Sequence, residues 1–222
     1  MPHALRLFFK EVGVPDTIIC NQGKEQIEGE SKKLLRDSGT IIRRIEPNTP
    51  WANRAERYID VFKQSVRNLL HDTNCPIRLW DNAAEYQAGV NNSTARDLYQ
   101  LVSTTPYHTV YHQELDISNI CLFKFYDWYY YREQKAKFPY PSQILGRVLG
   151  SFEDVGNGMS QWILRVDGRI HSQQTVRPLT HEELWSPLEI ARRKAFDAAI
   201  KQKLGDSITI PEKRESEEYL PY

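Results

Sequence analysis

The chain has 222 residues, 29 of them basic and 29 acidic, so its net charge of zero gives no overall attraction to nucleic acid. Any contact with DNA therefore needs a local basic patch. The length accommodates one ordinary domain and a smaller second one, and the 40% hydrophobic content excludes an intrinsically disordered chain.

The positions of the cysteines and the hydropathy of the chain exclude further classes of protein. Cys20, Cys75 and Cys121 are far apart and lack CxxC spacing, which excludes a zinc ribbon and a disulfide framework. No apolar run approaches the length of a bilayer span, and the first residues lack the pattern of a signal peptide. We therefore expect an intracellular protein without a membrane partner.

Residues 1–92 show helix patterns that alternate with short strand patterns. A helix is predicted over Pro2–Val12, where the apolar residues share one face, and a buried strand is predicted over Thr17–Cys20. A second helix over Ser31–Asp37 precedes the β-branched run Thr40–Ile42, which predicts a second strand. This alternation is typical of an α/β layer.

The most regular helix pattern starts near Ala55. Apolar residues recur along it at helical spacing, so one face is predicted to pack against the protein. The opposite face carries the charged residues Glu56, Asp60, Lys63 and Arg67. A further helix is predicted over about Ile77–Val90, and residues 93–120 are interpreted as a linker with helical pieces.

From residue 121 the pattern changes to aromatic and β-branched runs separated by turns, which is typical of a small β-barrel. The strand-like runs are Phe123–Arg132, Gln143–Leu149, Gln161–Val166 and Arg169–Val176. Between the last two runs, Asp167-Gly168 supplies the two residues that a type I′ hairpin turn needs at positive φ.

The chain after residue 180 is predicted to be helical. Thr180–Glu183 and Ser186–Glu189 both have the spacing of a capping box, the second with Pro187 at the first helical position. Gly205 is placed to end the helix that follows. Residues 181–205 are therefore predicted to be a C-terminal helical region, and residues 206–222 a flexible tail.

Three groups of motifs occur in a specific order along the chain. They are Gly13-Val14-Pro15 with Ile18–Gly23, then Pro47–Glu56, and then Phe125–Trp128, Leu145–Gly150 and Gln161–Leu164. Glu56 lies 35 positions after Asn21. From roughly Leu5 to Leu184 this arrangement resembles the integrases of LTR retrotransposons, particularly the copia type.

The resemblance implies an incomplete ribonuclease H-like core whose family reaction is phosphodiester hydrolysis followed by strand transfer. That reaction needs three carboxylates that hold two Mg²⁺ or Mn²⁺ ions. Asn21 stands where the family has its second catalytic Asp, Glu56 stands for the third carboxylate, and no residue of this chain matches the first. Asp60, one helical turn from Glu56, is a candidate nonstandard metal ligand. Because a neutral amide cannot compensate the charge of a metal ion, we expect an inactive chain that binds no ion tightly.

Ordinary structural roles are open for the same residues. Asn53 can cap the helix with Glu56 as its third-position partner, and the charged face can be a solvated helix surface. The resemblance instead implies that Lys63 and Arg67 contact phosphates. His108 and His112 have the spacing of metal ligands but lack the further ligands that zinc needs, so no zinc site is expected.

The aromatic run Phe123–Tyr131 permits a base-stacking platform or a cage for methylated lysine, but we interpret it mainly as core packing, because a strand buries alternate rings. Residues 122–180 hold eight basic and five acidic residues, which favours DNA contact by this region. The candidate DNA-binding residues within it are Lys135, Lys137, Arg147, Arg165, Arg169 and Arg177.

The sequence thus predicts an α/β fold with a partial ribonuclease H-like core at 1–92, a linker at 93–120, an SH3-like β-barrel at 121–180 and a C-terminal helix. The expected partner is DNA, bound weakly and without sequence preference. The open edge of an incomplete core also predicts self-association. Two alternatives are a noncatalytic module that binds protein or chromatin, and a decayed reading frame without a selected function.

Overall fold

The computed structural model describes residues 2–20, 29–45, 54–95, 104–114, 116–133, 139, 142–151 and 160–205. The predictions for Asn21, Lys135, Lys137, the Pro47–Asn53 segment and the tail 206–222 concern residues outside these ranges. The chain divides into two compact units, one of residues 1–62 with 109–112 and one of residues 63–108 with 113–222. In the described ranges no helix is both long and apolar enough to cross a membrane.

The first unit confirms the predicted alternation of helices and strands. It contains α1 (Pro2–Glu11), β1 (Thr17–Cys20), α2 (Gly29–Asp37), β2 (Ile41–Arg44) and the first residues of α3 (Arg54–Thr73). The strands pair in parallel, with Thr17 opposite Ile41. Helices α1 and α2 contact each other, and Arg6 forms a 2.8 Å ion pair with Glu30.

The small parallel sheet of this unit is covered incompletely. Leu35 of α2 is buried, and the Thr40 hydroxyl donates a 2.9 Å hydrogen bond to the carbonyl of Pro15. In contrast, Ile19 is 62% exposed and Ile41 is 58% exposed. The strand predicted over Thr17–Cys20 is present, but the prediction that it is buried is wrong, because two strands with helices packed on part of them leave apolar side chains in solvent.

The second unit begins with the rest of α3 and continues through short helical elements. These are a 3₁₀ turn (Ile77–Leu79), α4 (Trp80–Ser93), α5 (Pro106–Tyr111), whose last residues belong to the first unit, and α6 (Ser118–Leu122). The helix predicted from Ile77 is thus divided into a 3₁₀ turn and α4. The helical pieces expected in the linker are α5 and α6.

A five-stranded antiparallel sheet forms the centre of the second unit. Its strands are β3 (Trp128–Arg132), β4 (Gln143–Ser151), β5 (Gln161–Leu164), β6 (Ile170–Gln173) and β7 (Val176–Pro178). They lie in the order β6-β5-β4-β3-β7, so the last strand returns to pair with the first. Among the described strands β6 and β7 are the two edges, so these pairings form an open sheet.

Two predicted strand boundaries change for local reasons. Strand β3, the first strand of the predicted barrel, begins at Trp128 instead of Phe123, because Tyr126 has a φ of +58° and interrupts the extended chain. The predicted run Arg169–Val176 divides into β6, which pairs with β5, and β7, which pairs with β3.

The hairpin between β5 and β6 has a different turn from the predicted one. Of Asp167 and Gly168, only Gly168 has a positive φ, at +80°. The Gly168 N–H donates to the Arg165 carbonyl and the Arg165 N–H donates to the Arg169 carbonyl, both at 2.9 Å. This is a three-residue loop with glycine in the left-handed position, so the type I′ prediction is wrong. Asp167 instead accepts a 3.0 Å hydrogen bond from the Arg169 N–H.

Two helices, α7 (His181–Trp185) and α8 (Pro187–Leu204), follow the sheet. The capping box of Thr180 and Glu183 is present at the start of α7, and Gly205 ends α8 with a φ of +62°, as predicted. The second predicted capping box is wrong, because the Ser186 side chain makes no cap hydrogen bond. Its expected partner Glu189 is buried and accepts a 2.6 Å hydrogen bond from the Tyr130 hydroxyl.

The aromatic run of β3 is core, as predicted, but both of its faces are buried. Tyr129 and Tyr131 pack with Val148 and Ile163 on one face. On the other face Trp128 stacks edge-on against Phe196 of α8, with 5.3 Å between ring centroids. Helix α8 is therefore the reason why alternation along β3 leaves no ring in solvent.

Candidate nucleic-acid interface

The charged face of α3 is in solvent. Glu56, Asp60, Lys63 and Arg67 are all exposed, and their spacing places them on one side of the helix. Glu56 lies in the first helical turn, where a carboxylate interacts favourably with the helix dipole. Glu56 and Asp60 belong to the first unit, and Lys63 and Arg67 belong to the second.

The described residues contain no group of three or more His, Cys, Asp or Glu side chains placed to hold a metal ion. His108, one of the two candidate zinc ligands, lies 3.6 Å from a carboxylate oxygen of Glu114. The structure thus places a carboxylate beside His108.

Arg147 is the most strongly engaged of the candidate DNA-binding residues. Its guanidinium donates to both carboxylate oxygens of Asp197, at 2.9 and 2.8 Å, and to the carbonyl of Tyr126 at 2.6 Å. It also lies 3.5 Å from the ring centroid of Trp128 and 4.3 Å from that of Tyr126. Only 8% of Arg147 is exposed. We therefore correct its role from DNA contact to an internal link between β4 and α8.

The surroundings of Arg147 explain why a buried charge is tolerated at this place. A bidentate carboxylate partner and two aromatic faces compensate for lost hydration. The same burial raises the pKa of the Tyr126 hydroxyl above its usual range. Sequence reasoning missed Asp197, because it stands 50 positions from Arg147 and no local pattern connects them.

Two more of the predicted DNA-binding arginines carry intramolecular ion pairs. Arg165 lies 3.2 Å from Glu133, and Arg177 lies 2.7 Å from Glu183 in a bidentate pair. Arg177 also donates to the amide oxygen of Gln143 at 3.1 Å. These contacts reduce the positive charge that the sheet presents to solvent.

Arg169 differs from the other sheet arginines. It is exposed in the β5–β6 turn, and the described part of the chain places no carboxylate in an ion pair with it. Of the four predicted sheet arginines whose positions the structure describes, Arg169 is thus the best placed for a phosphate.

The Arg177–Glu183 pair stabilises the start of α7 electrostatically. The Arg177 guanidinium, with a further hydrogen bond from the Thr180 N–H, lowers the pKa of Glu183 to about 2. Because this pKa lies below the ordinary value of 4.5, the ionised carboxylate stabilises the fold above about pH 4.5. That contribution is lost as the pH falls from there to about 2.

We expect Glu183→Gln to lower the melting temperature at neutral pH and to lower it progressively less as the pH falls toward about 2. Thermal melts at several pH values measure the difference from the unchanged chain. Glu182→Gln is the control, because the carboxylate of Glu182 is exposed, is next to Glu183 in the chain and is not part of the capping box. A Glu183→Gln deficit of the same size at every pH would contradict this assignment.

Helix α8 carries a set of cations that sequence reasoning did not select. Its basic residues are Arg192, Arg193, Lys194, Lys201 and Lys203, against two acidic residues, Glu189 and Asp197. The excess of basic over acidic residues in this helix can be counted directly in the sequence. The helix lies beyond residue 180, where the predicted barrel ends, so its residues were not among the predicted DNA contacts.

No protein-family model matches this chain, and no curated protein matches it. Among solved structures, one similar chain belongs to the simian T-cell lymphotropic virus intasome, determined by cryo-EM in complex with the PP2A regulatory subunit B56 gamma. The identity is 14% and the TM-score is 0.41, with 81% of this chain and 63% of that chain covered. The present chain thus spans less than two thirds of its neighbour's length, and the intasome and its partner are properties of that neighbour.

Proposed function

We propose that this chain is related to the integrases of LTR retrotransposons of the copia type, that it binds DNA without sequence preference, and that it does not join DNA strands. The observation that carries the proposal is where two described parts of the motifs lie: one at the end of a strand and the other at the start of a helix, both within the first unit. Strand β1 ends at Cys20, directly before Asn21, and Glu56 lies in the first turn of α3. These are the places that the family resemblance requires for the second and third catalytic positions.

The two sheets support the same proposal. Parallel β1 and β2, with α2 between them in sequence, fit a fragment of a ribonuclease H-like core. The order of the antiparallel sheet, in which β7 returns to pair with β3, fits an SH3-like barrel of five strands. The incomplete cover of Ile19 and Ile41 fits a core that associates with further strands or with a second copy.

The residues at the catalytic positions do not fit the two-ion site of the family. Two bound divalent ions need several carboxylates, including one that bridges them. Asn21 is neutral, and Glu56 and Asp60 lie one helical turn apart on a single solvent-exposed helix face. We therefore propose that this chain has kept the binding of DNA and lost the chemistry.

Titration of a labelled duplex with the full chain at several salt concentrations tests the DNA-binding part. We expect weak binding, and we expect the logarithm of the affinity to fall linearly with the logarithm of salt concentration, by about 0.9 per phosphate contact. Two duplexes of equal length and unrelated sequence should bind equally. Undetectable binding at about 50 mM salt would rule out the proposal, and salt-insensitive binding to a histone-tail peptide would support the protein- or chromatin-binding alternative.

A further inference from the structure

Helix α8 has an excess of positive charge that its own carboxylates do not cancel at the surface. Both carboxylates of the helix are used inside the unit. Glu189 is buried and accepts hydrogen bonds from Tyr130 and from Arg192, both at 2.6 Å. Asp197 forms the bidentate pair with Arg147. Asp197 lies three positions after Lys194 and four before Lys201, but both of its carboxylate oxygens are engaged by Arg147. The two lysines are therefore exposed without an ion pair to this carboxylate.

Lys194 and Lys201 lie on the same side of α8. They are seven residues apart, which is about two turns and roughly 10 Å along the axis. Both are exposed, and neither forms an ion pair with a residue that the structure describes. The residues beside them on this side include the exposed alanines Ala191, Ala195 and Ala198. Such small side chains allow a rigid polyanion to approach the helix closely, and they offer no hydrogen bonds that read base edges.

The last turn of α8 adds cations from the neighbouring hairpin. A Cβ atom at Gly168 would lie 3.9 Å from the Lys203 side chain, so the β5–β6 turn touches this end of the helix. The Arg169 N–H, together with the charges of Arg165, Arg169 and Lys203, lowers the pKa of Asp167. At this end of the second unit, the single carboxylate of Asp167 thus interacts with the three cations Arg165, Arg169 and Lys203.

We propose that α8, through Lys194 and Lys201, is the main phosphate-contacting element of this chain, with the Arg169 turn as a secondary contact. This inference rests on the proposed binding of DNA and assigns it to a surface outside the sheet. The sheet is the weaker candidate, because Arg147 is buried while Arg165 and Arg177 are held in ion pairs.

The test compares the full chain with the Lys194→Ala/Lys201→Ala variant in duplex titrations at several salt concentrations. Each lost phosphate contact should weaken binding roughly tenfold at about 50 mM salt and reduce the salt slope by about 0.9. The double variant should therefore bind roughly a hundredfold more weakly, with a slope smaller by about 2. Alanine has the highest helix propensity and both positions are exposed, so α8 should remain folded.

Lys32→Ala/Lys33→Ala is the matched control, because it removes the same charge from exposed positions of α2 in the first unit. The control should keep nearly the affinity and slope of the unchanged chain, and circular dichroism should show equal helix content in all three proteins. If the α8 variant binds like the unchanged chain, or if both variants lose affinity equally, the assignment to α8 is wrong and the proposed function stands. If the unchanged chain does not bind, the proposed function fails first.

Discussion

Arg147→Ala is expected to destabilise the second unit by about 3 kcal/mol, near the lower end of the range for removing one partner of a buried ion pair. The substitution leaves Asp197 without its bidentate partner at a site where 31% of that side chain is exposed. It also removes a cation from the faces of Trp128 and Tyr126 and opens a space between β4 and α8. These losses act at the contact that joins the helix to the sheet.

Denaturant unfolding of Arg147→Ala, Asp197→Ala and the double variant measures this contribution and its coupling. The double variant should be much less destabilised than the sum of the single variants, because neither charge is then left alone. Arg147→Lys should be intermediate, since lysine keeps the charge without the planar bidentate geometry. Arg132→Ala, at an exposed position on β3, is the control and should change the free energy of unfolding by less than about 0.5 kcal/mol. A loss below about 1 kcal/mol for Arg147→Ala would contradict the structural role of this pair.

No Mg²⁺- or Mn²⁺-dependent joining of DNA ends is expected from the chain or from Asn21→Asp. The substitution would introduce one carboxylate directly after the last residue of β1, and under the proposed function it would provide, with Glu56, part of a site for one ion. Two-metal phosphoryl transfer depends on both ions being held on opposite sides of the scissile phosphate. The proposed relationship also requires a bridging carboxylate from an upstream strand, and no residue of this sequence matches its place in the motif order. Turnover should therefore stay at background for both proteins.

Joining activity should appear only when Asn21→Asp is combined with the upstream strands and Asp of an intact relative, supplied by fusion. An oligonucleotide joining assay compares the chain, Asn21→Asp and the fusion. Glu56→Ala in the fusion should abolish the gain. If the unchanged chain joins DNA and Glu56→Ala removes that activity, the proposed loss of chemistry is wrong, and Asp60 becomes the next residue to replace.

The sequence by itself determined the features that depend on local periodicity and local hydrogen bonding. The order of helices and strands in the first unit, the helix that carries Glu56 and the start of β4 all follow from local sequence patterns. Thr180 begins α7 and Gly205 ends α8 as predicted, because a cap involves residues only a few positions apart. The motif order that supports the proposed function also comes from the sequence.

The tertiary structure decided which charges remain available at the surface. Arg147 and Asp197 are 50 positions apart and Tyr130 and Glu189 are 59 apart, so no local pattern predicts either pairing. Both pairings arise because α8 packs on the sheet and covers the second face of β3. That packing removes Arg147 from solvent, uses both carboxylates of α8 internally and leaves Lys194 and Lys201 exposed. A count of charged residues along the sequence cannot predict which charges stay at the surface. Burial and pairing between distant segments determine how much of each charge a ligand encounters.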